Sequence, residues 1–241
     1  MLLLPALTRA QQYTGISGLL HVPSAEMNPE GDARIGGHFL NKAMTPDTGF
    51  IWVHDKYNTY DYYMAITPYR WLELSYVCTE RKVRNEGKLS DYGSKDRYVS
   101  IKVRPLEEGR YWPAVAIGCN DVGTSAISSL THTNVQLYFQ NYYIAATKHL
   151  DLSGHQLGFT LAYRHFHRGY NAKWNGLVGG ITYRPAFCPD LRAIVEYTGN
   201  EFLLGFDAHL WRHLMIQASL KDFQHLNVGI CFDFNLLGKS H

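Results

Sequence analysis

The chain has 241 residues, enough for one large domain or two small ones with a sizeable core. Its 23 Lys and Arg against 21 Asp and Glu leave a formal charge of +2, too weak a field to select nucleic acid. No apolar run approaches the ~18 residues that a spanning helix needs, yet 17 Tyr and 5 Trp make the chain aromatic-rich. Cys78, Cys119, Cys188 and Cys231 are far apart and form no CxxC pair, so their spacing selects neither a disulfide nor a metal site. Cys78, Cys119 and Cys231 read as small strand residues.

The start, with three leucines before Pro5 and small residues at Thr8 and Ala10, resembles the end of a secretory signal peptide. Residues 1–10 are therefore expected to be a signal remnant and 11–32 a lead-in. Gly15, Gly18 and Pro23 rule a helix out of the lead-in. It is too irregular to cross lipid, where unpaired backbone is costly, and too apolar at Ile16, Leu19, Leu20 and Val22 to drift in water. Its expected place is against the inner wall of a barrel, as a plug, or beneath the periplasmic rim.

From Ala33 onward the chain alternates between apolar and polar residues. Strands are expected at 33–42, 59–67, 71–79, 96–104, 111–119, 134–147, 156–164, 176–184, 191–198, 202–209, 213–221 and 226–234. The last sets Leu226, Val228, Ile230, Phe232 and Phe234 on one face against Asn227, Gly229, Cys231 and Asp233 on the other. Each segment is near the ~10 residues of a tilted spanning strand, and their number is even. Short connections follow the even strands up to the tenth. Long ones, at 43–58, 80–95, 120–133 and 165–175, follow the first four odd strands. That alternation is the habit of outer-membrane barrels, with short periplasmic turns and longer outer loops. The expected fold is all-β, an antiparallel transmembrane β-barrel of about twelve strands over 33–241. Both ends of the chain then face the periplasm.

Several stretches resemble one family. The lead-in Gly15-x-x-Gly18-Leu19-x-x-x-Pro23-Ser24-Ala25-Glu26, followed by Gly31-Asp32-x-Arg34-x-Gly36, is similar to the N-terminal signature of the YjbH-like outer-membrane proteins linked to exopolysaccharide production. Pro113-Ala114-Val115-Ala116-Ile117-Gly118-Cys119-Asn120-Asp121 resembles a second segment of that family. Asn175–Gly180 and Val195-Glu196-Tyr197 resemble later landmarks. Val178 departs from the usual aromatic, and Ile181-Thr182 lacks an acid common after the Gly-Gly pair. The chain is also shorter than the large members, which implies a single barrel. The resemblance implies an outer-membrane protein of a Gram-negative cell, tied to surface polysaccharide, and supplies no mechanism.

Glu73, Lys102, Arg104, Arg164, Arg184, Arg192, Glu196, Asp207 and Lys221 fall on the polar strand faces. They are candidates for lining the lumen or contacting a polymer, or for packing the lumen as ion pairs. Asn120 and Asp121 are candidates in a loop, where Asx chemistry and the flanking Gly118 and Gly123 also suit a plain turn. His165-x-His167 places two imidazoles on one face without a third ligand, so no metal is expected. Ser129, His132 and Asn134 resemble the Ser/His/Asn sets of outer-membrane lipid hydrolases. No cofactor motif is present. The expected role is non-enzymatic, accessory to export or anchoring of an extracellular polysaccharide. A small general diffusion pore and a lipid-modifying enzyme using His132 are the alternatives. The expected partners are outer-membrane lipid, polysaccharide and periplasmic export proteins, and no nucleic acid.

Overall fold

The computed structural model describes residues 10–46, 56–85, 88–124, 138–211 and 213–238. Twelve strands follow in chain order: β1 (Asp32–Leu40), β2 (Thr59–Tyr69), β3 (Leu72–Asn85), β4 (Lys88–Leu106), β5 (Ala114–Thr124) and β6 (Asn141–Leu152), then β7 (His155–Phe166), β8 (Gly176–Arg184), β9 (Leu191–Tyr197), β10 (Phe202–Leu210), β11 (Leu214–Lys221) and β12 (His225–Asn235). Each pairs antiparallel with its sequence neighbour. The sheet closes where Asp32–Phe39 runs against Asn235–Val228. Closure leaves no free edge, the condition lipid imposes on a sheet.

The side-chain alternation decides what each face meets. Met64, Ile117, Ile144, Leu161, Leu177, Ile181, Ile230 and Phe232 are all about half exposed on the outside. The inward partners are buried and mostly polar: Asp32, Arg34, Asp61, Glu73, Lys102, Arg164, Arg192, Glu196 and Asp233. An apolar exterior around a polar interior is the inverse of a water-soluble barrel and the pattern of one immersed in lipid.

Eight of the strands lie within about two residues of the sequence expectation, and the differences elsewhere have local causes. The stretch 80–95 is not a loop: β3 and β4 run on as a long hairpin, with Arg84 opposite Leu89 and Asn85 opposite Lys88. Polar residues dominate that stretch of sequence and hide the hairpin from a search for apolar alternation. The stretch 148–155 is likewise strand on both sides of a two-residue turn. Ser153 and Gly154 there have φ of 51° and 87°, the geometry that matches the twist of a tight hairpin. Residues 120–124 belong to β5, and β6 begins at Asn141 rather than at 134. The connections sort by length only in part, because β3–β4, β9–β10 and β11–β12 are joined as tightly as the turns at the opposite end. The end holding Arg70-Trp71 and Ser153-Gly154 has no connection longer than 107–113, and the three long connections, after β1, β5 and β7, lie at the other.

Candidate functional site

The interior of the barrel is occupied by the chain's own residues 10–28, every one of them buried. Two small hairpin-like folds shape this segment. Gln11 bridges to Ser17, and Gly18 to Pro23, with Gly15 at φ 72° in the first bend. Its apolar side chains meet the few apolar places on the wall: Leu19, Leu20 and Val22 form one cluster with Tyr143, Ala145, Ala162, Val178 and Ile194. Wall glycines make the room. A Cβ on Gly180 would lie 2.5 Å from Leu19 Cδ1, and one on Gly205 would lie 2.6 Å from Leu20 Cδ1.

A segment with so little regular structure leaves its backbone N–H and C=O groups seeking partners. The wall supplies them. Glu196 of β9 accepts from three consecutive peptide groups, Leu20 N at 3.1 Å, His21 N at 2.7 Å and Val22 N at 3.1 Å. Gln217 of β11 acts as a strand partner, its Oε1 accepting from Gln11 N at 3.1 Å and its Nε2 donating to Gln11 O at 2.9 Å. Ser75 donates to Thr14 O at 2.7 Å, and Ala25 N donates to Thr147 Oγ1 at 2.9 Å. Arg164 of β7 donates to His21 O at 2.8 Å and Thr198 O at 3.1 Å, tying the segment to the β9–β10 turn.

The charged groups form two centres. In the first, Ser17 Oγ donates to Glu73 Oε2 at 2.6 Å and Asn28 Nδ2 to Glu73 Oε1 at 2.6 Å. Lys102 Nζ donates to Ser17 O at 2.9 Å and also to Glu26 O. In the second, Arg192 Nη1 donates to both oxygens of Glu26 at 3.0 Å, and its Nε donates to Asp207 Oδ2 at 2.8 Å. His149 then joins Glu26 at 3.2 Å to Glu108 at 2.7 Å, and Lys148 adds a 2.9 Å contact to Glu108. Glu108 lies outside the strands, in the turn after β4. Burial works to raise its pKa, but the hydrogen bonds from His149 and Lys148 outweigh it and hold the carboxyl below its usual range.

Of the nine wall residues expected from the sequence, Glu73, Lys102, Arg164, Arg192 and Glu196 grip the internal segment directly, and Asp207 orients Arg192. The other three do not reach it. Arg184 donates to Pro189 O in the β8–β9 turn. Arg104 donates to Arg70 O at 2.9 Å and meets Glu107 at the short-turn rim, because the register shifts after Val103. Lys221 pairs with Glu201 at 2.6 Å at the opposite rim.

Asn120 and Asp121 are not loop residues. They lie in β5 as part of a three-residue bulge opposite Ser100, and both are buried. The positive φ belongs to Asp121, at 58°, and not to Gly118. Gly118 instead accommodates the ring of Tyr143. His165 and His167 are exposed on the outer side, away from the lumen. Ser129, His132 and Asn134 lie outside the described residues.

Sequence reasoning missed Glu26, which the wall holds by four contacts. The signal was present: among residues 10–28, Glu26 is the one acidic side chain and no Lys or Arg accompanies it. A carboxylate that is buried in a segment with no Lys or Arg of its own needs a partner from outside the segment.

Comparison with known proteins then assigns the chain. The family described as "Exopolysaccharide biosynthesis protein YbjH" matches residues 10–169, which span both the internal segment and β1 to β7. The chain belongs to the YjbH family. It is 24% identical over 234 residues to a protein of Escherichia coli (strain K12) called "Uncharacterized lipoprotein YjbH". The match covers 83% of this chain and 30% of that one, so the chain spans under a third of its relative's length. Among solved structures, outer membrane phospholipase A from Escherichia coli superposes with a TM-score of 0.36 and 11% identity, over 86% of this chain and 97% of that one. At that score neither chain's chemistry bears on the other's.

Proposed function

We propose that this YjbH-family chain is an outer-membrane barrel filled by its own residues 10–28, and that it serves export or anchoring of an extracellular polysaccharide without catalysing a reaction. One observation carries the reading: the lumen holds a built-in segment gripped by wall charges rather than an open, water-lined passage. A diffusion pore needs its charged residues facing water, and here Glu73, Lys102, Arg164, Arg192 and Glu196 are buried against the segment. The family's exopolysaccharide association supports the polymer as cargo or anchor partner. The short-turn rim is the natural meeting place for periplasmic export proteins.

The test is conductance in planar bilayers, with the intact protein compared with a variant lacking Tyr13–Asn28. The intact protein is expected to conduct poorly and the deletion to raise conductance clearly. A double variant, Glu26→Gln with Glu196→Gln, loosens the segment without removing it and is expected to flicker between levels. Steady open-pore conductance in the intact protein, unchanged by either alteration, would favour the general pore. In cells, loss of surface polysaccharide on deleting the gene, restored by wild type and by His132→Ala alike, supports a non-enzymatic role. Phospholipid turnover that disappears in His132→Ala would defeat it.

A further inference from the structure

Among the described residues, the outward face of the strands is uncharged nearly all the way round at the long-connection end. The exception is confined to β3 and β4. Glu80 and Lys82 continue the outward register of Tyr76 and Cys78, and Lys95 and Arg97 continue that of Val99 and Ile101. Lys95 and Arg97 are exposed, and Lys95 Nζ lies 3.6 Å from Glu80. Three cations against one acid leave this column net positive.

Aromatic rings flank the column. Lys82 Nζ sits 5.1 Å over the Tyr92 ring, Tyr92 meets Tyr60 edge-on at 5.3 Å, and Tyr60 meets Phe39 at 5.6 Å. Arg97 is two residues above Val99, the last apolar outward residue of β4, so it sits roughly 7 Å along the strand from the apolar band. Tyr60 pairs with Glu80, which pairs with Lys95, and Tyr92 pairs with Lys82, so the rings lie beside the cations; Tyr is the residue of the membrane interface, the layer where lipid phosphates lie.

We infer that the outer face of the β3–β4 hairpin is a binding site for the phosphate of an anionic outer-leaflet lipid, held by Lys82, Lys95 and Arg97 with Tyr60 and Tyr92 beside it. The site rests on the reading that the barrel sits in the outer membrane with its long connections outside. Charge complementarity selects the occupant, and so does position. The cations lie on the outward face of the strands, beyond the apolar residues of the wall. Lys221 and Glu201, at the same end, neutralise each other inside the rim and offer no such column.

The experiment uses the refolded barrel in phosphatidylcholine vesicles containing either lipid A or its dephosphorylated form. Lipid retained after detergent extraction is weighed by native mass spectrometry. Wild type is expected to retain lipid A and not the dephosphorylated form. Each cation near an anionic surface contributes about five-fold in binding, so Lys82→Gln/Lys95→Gln/Arg97→Gln should lose roughly a hundredfold. The three side chains are on the outside, and unchanged heat-modifiable migration in gels checks that the variant folds. Equal retention of the two lipids, or undiminished retention by the triple variant, overturns the proposal. So does binding of a soluble acidic polymer, polygalacturonate, that needs the same three cations while lipid A is not retained; the column would then belong to the polysaccharide. A wild-type barrel that inserts into neither vesicle removes the membrane reading, and the lipid site with it.

Discussion

Glu196 shows how one side chain can replace a strand. Three successive peptide N–H groups of the internal segment end on its carboxylate, where a β-ladder would need several residues to satisfy them. Hydrogen bonds to a charged group contribute about 1.5–3 kcal/mol each, and losing the acceptor leaves buried donors orphaned. Glu196→Ala is expected to lower the unfolding transition more than any single lipid-face truncation to Ala, read as the temperature at which heat-modifiable migration changes. Glu108 allows a prediction with a sign. Its carboxyl is held below the usual value of about 4.3, so its contribution is fully present above that pH and is lost as pH falls through the lower, folded-state value. A pH titration of stability should show this acid limb in wild type and a shallower one in Glu108→Gln. Both residues show what a sequence can reveal at this scale. Glu196 was legible as inward-facing from alternation alone. Its partners were not, because they are peptide groups and carry no sequence mark.

At the scale of the strand, legibility followed burial. β8 to β12 are bounded within about a residue of where alternation places them, because lipid on one side and packed lumen on the other force a strict period of two. β3, β4 and β6 were misjudged where that constraint ends. The β3–β4 hairpin outruns its neighbours: β2 pairs with β3 up to Glu80, and β5 pairs with β4 up to Tyr98, and the sequence beyond carries few apolar residues to mark a strand. The bulge at Asn120–Val122 breaks the period inside β5 and made a strand read as a loop. The facing assignment yields its own prediction. Phe206→Arg or Ile216→Arg places a cation against lipid at an expected cost of about 2–4 kcal/mol, whereas Phe187→Arg, on an exposed turn, should cost about 0–1. Refolding yields in lipid vesicles compare them. Equal yields for Phe206→Arg and Phe187→Arg would mean that the apolar face does not meet lipid.

For the whole molecule, the twelve strands and the long connections after β1, β5 and β7 were readable, while the one expected at 80–95 proved to be hairpin. That the lumen is full was only an expectation from the apolar residues of the lead-in. Wall and filling recognise each other across separations such as 206 residues between Gln11 and Gln217, and no local pattern encodes such a pairing. The closing seam has a kinetic meaning. β1 follows directly on the internal segment, and its second partner is β12, the twelfth strand in chain order. The sheet can close only when β12 meets β1, and the segment, joined to β1, is at hand while the wall forms around it. Until then the nascent sheet has no sealed rim and no reason to enter a bilayer. Assembly should be a single late event, slow and all-or-none, in which the segment serves as the mandrel on which the wall is wound.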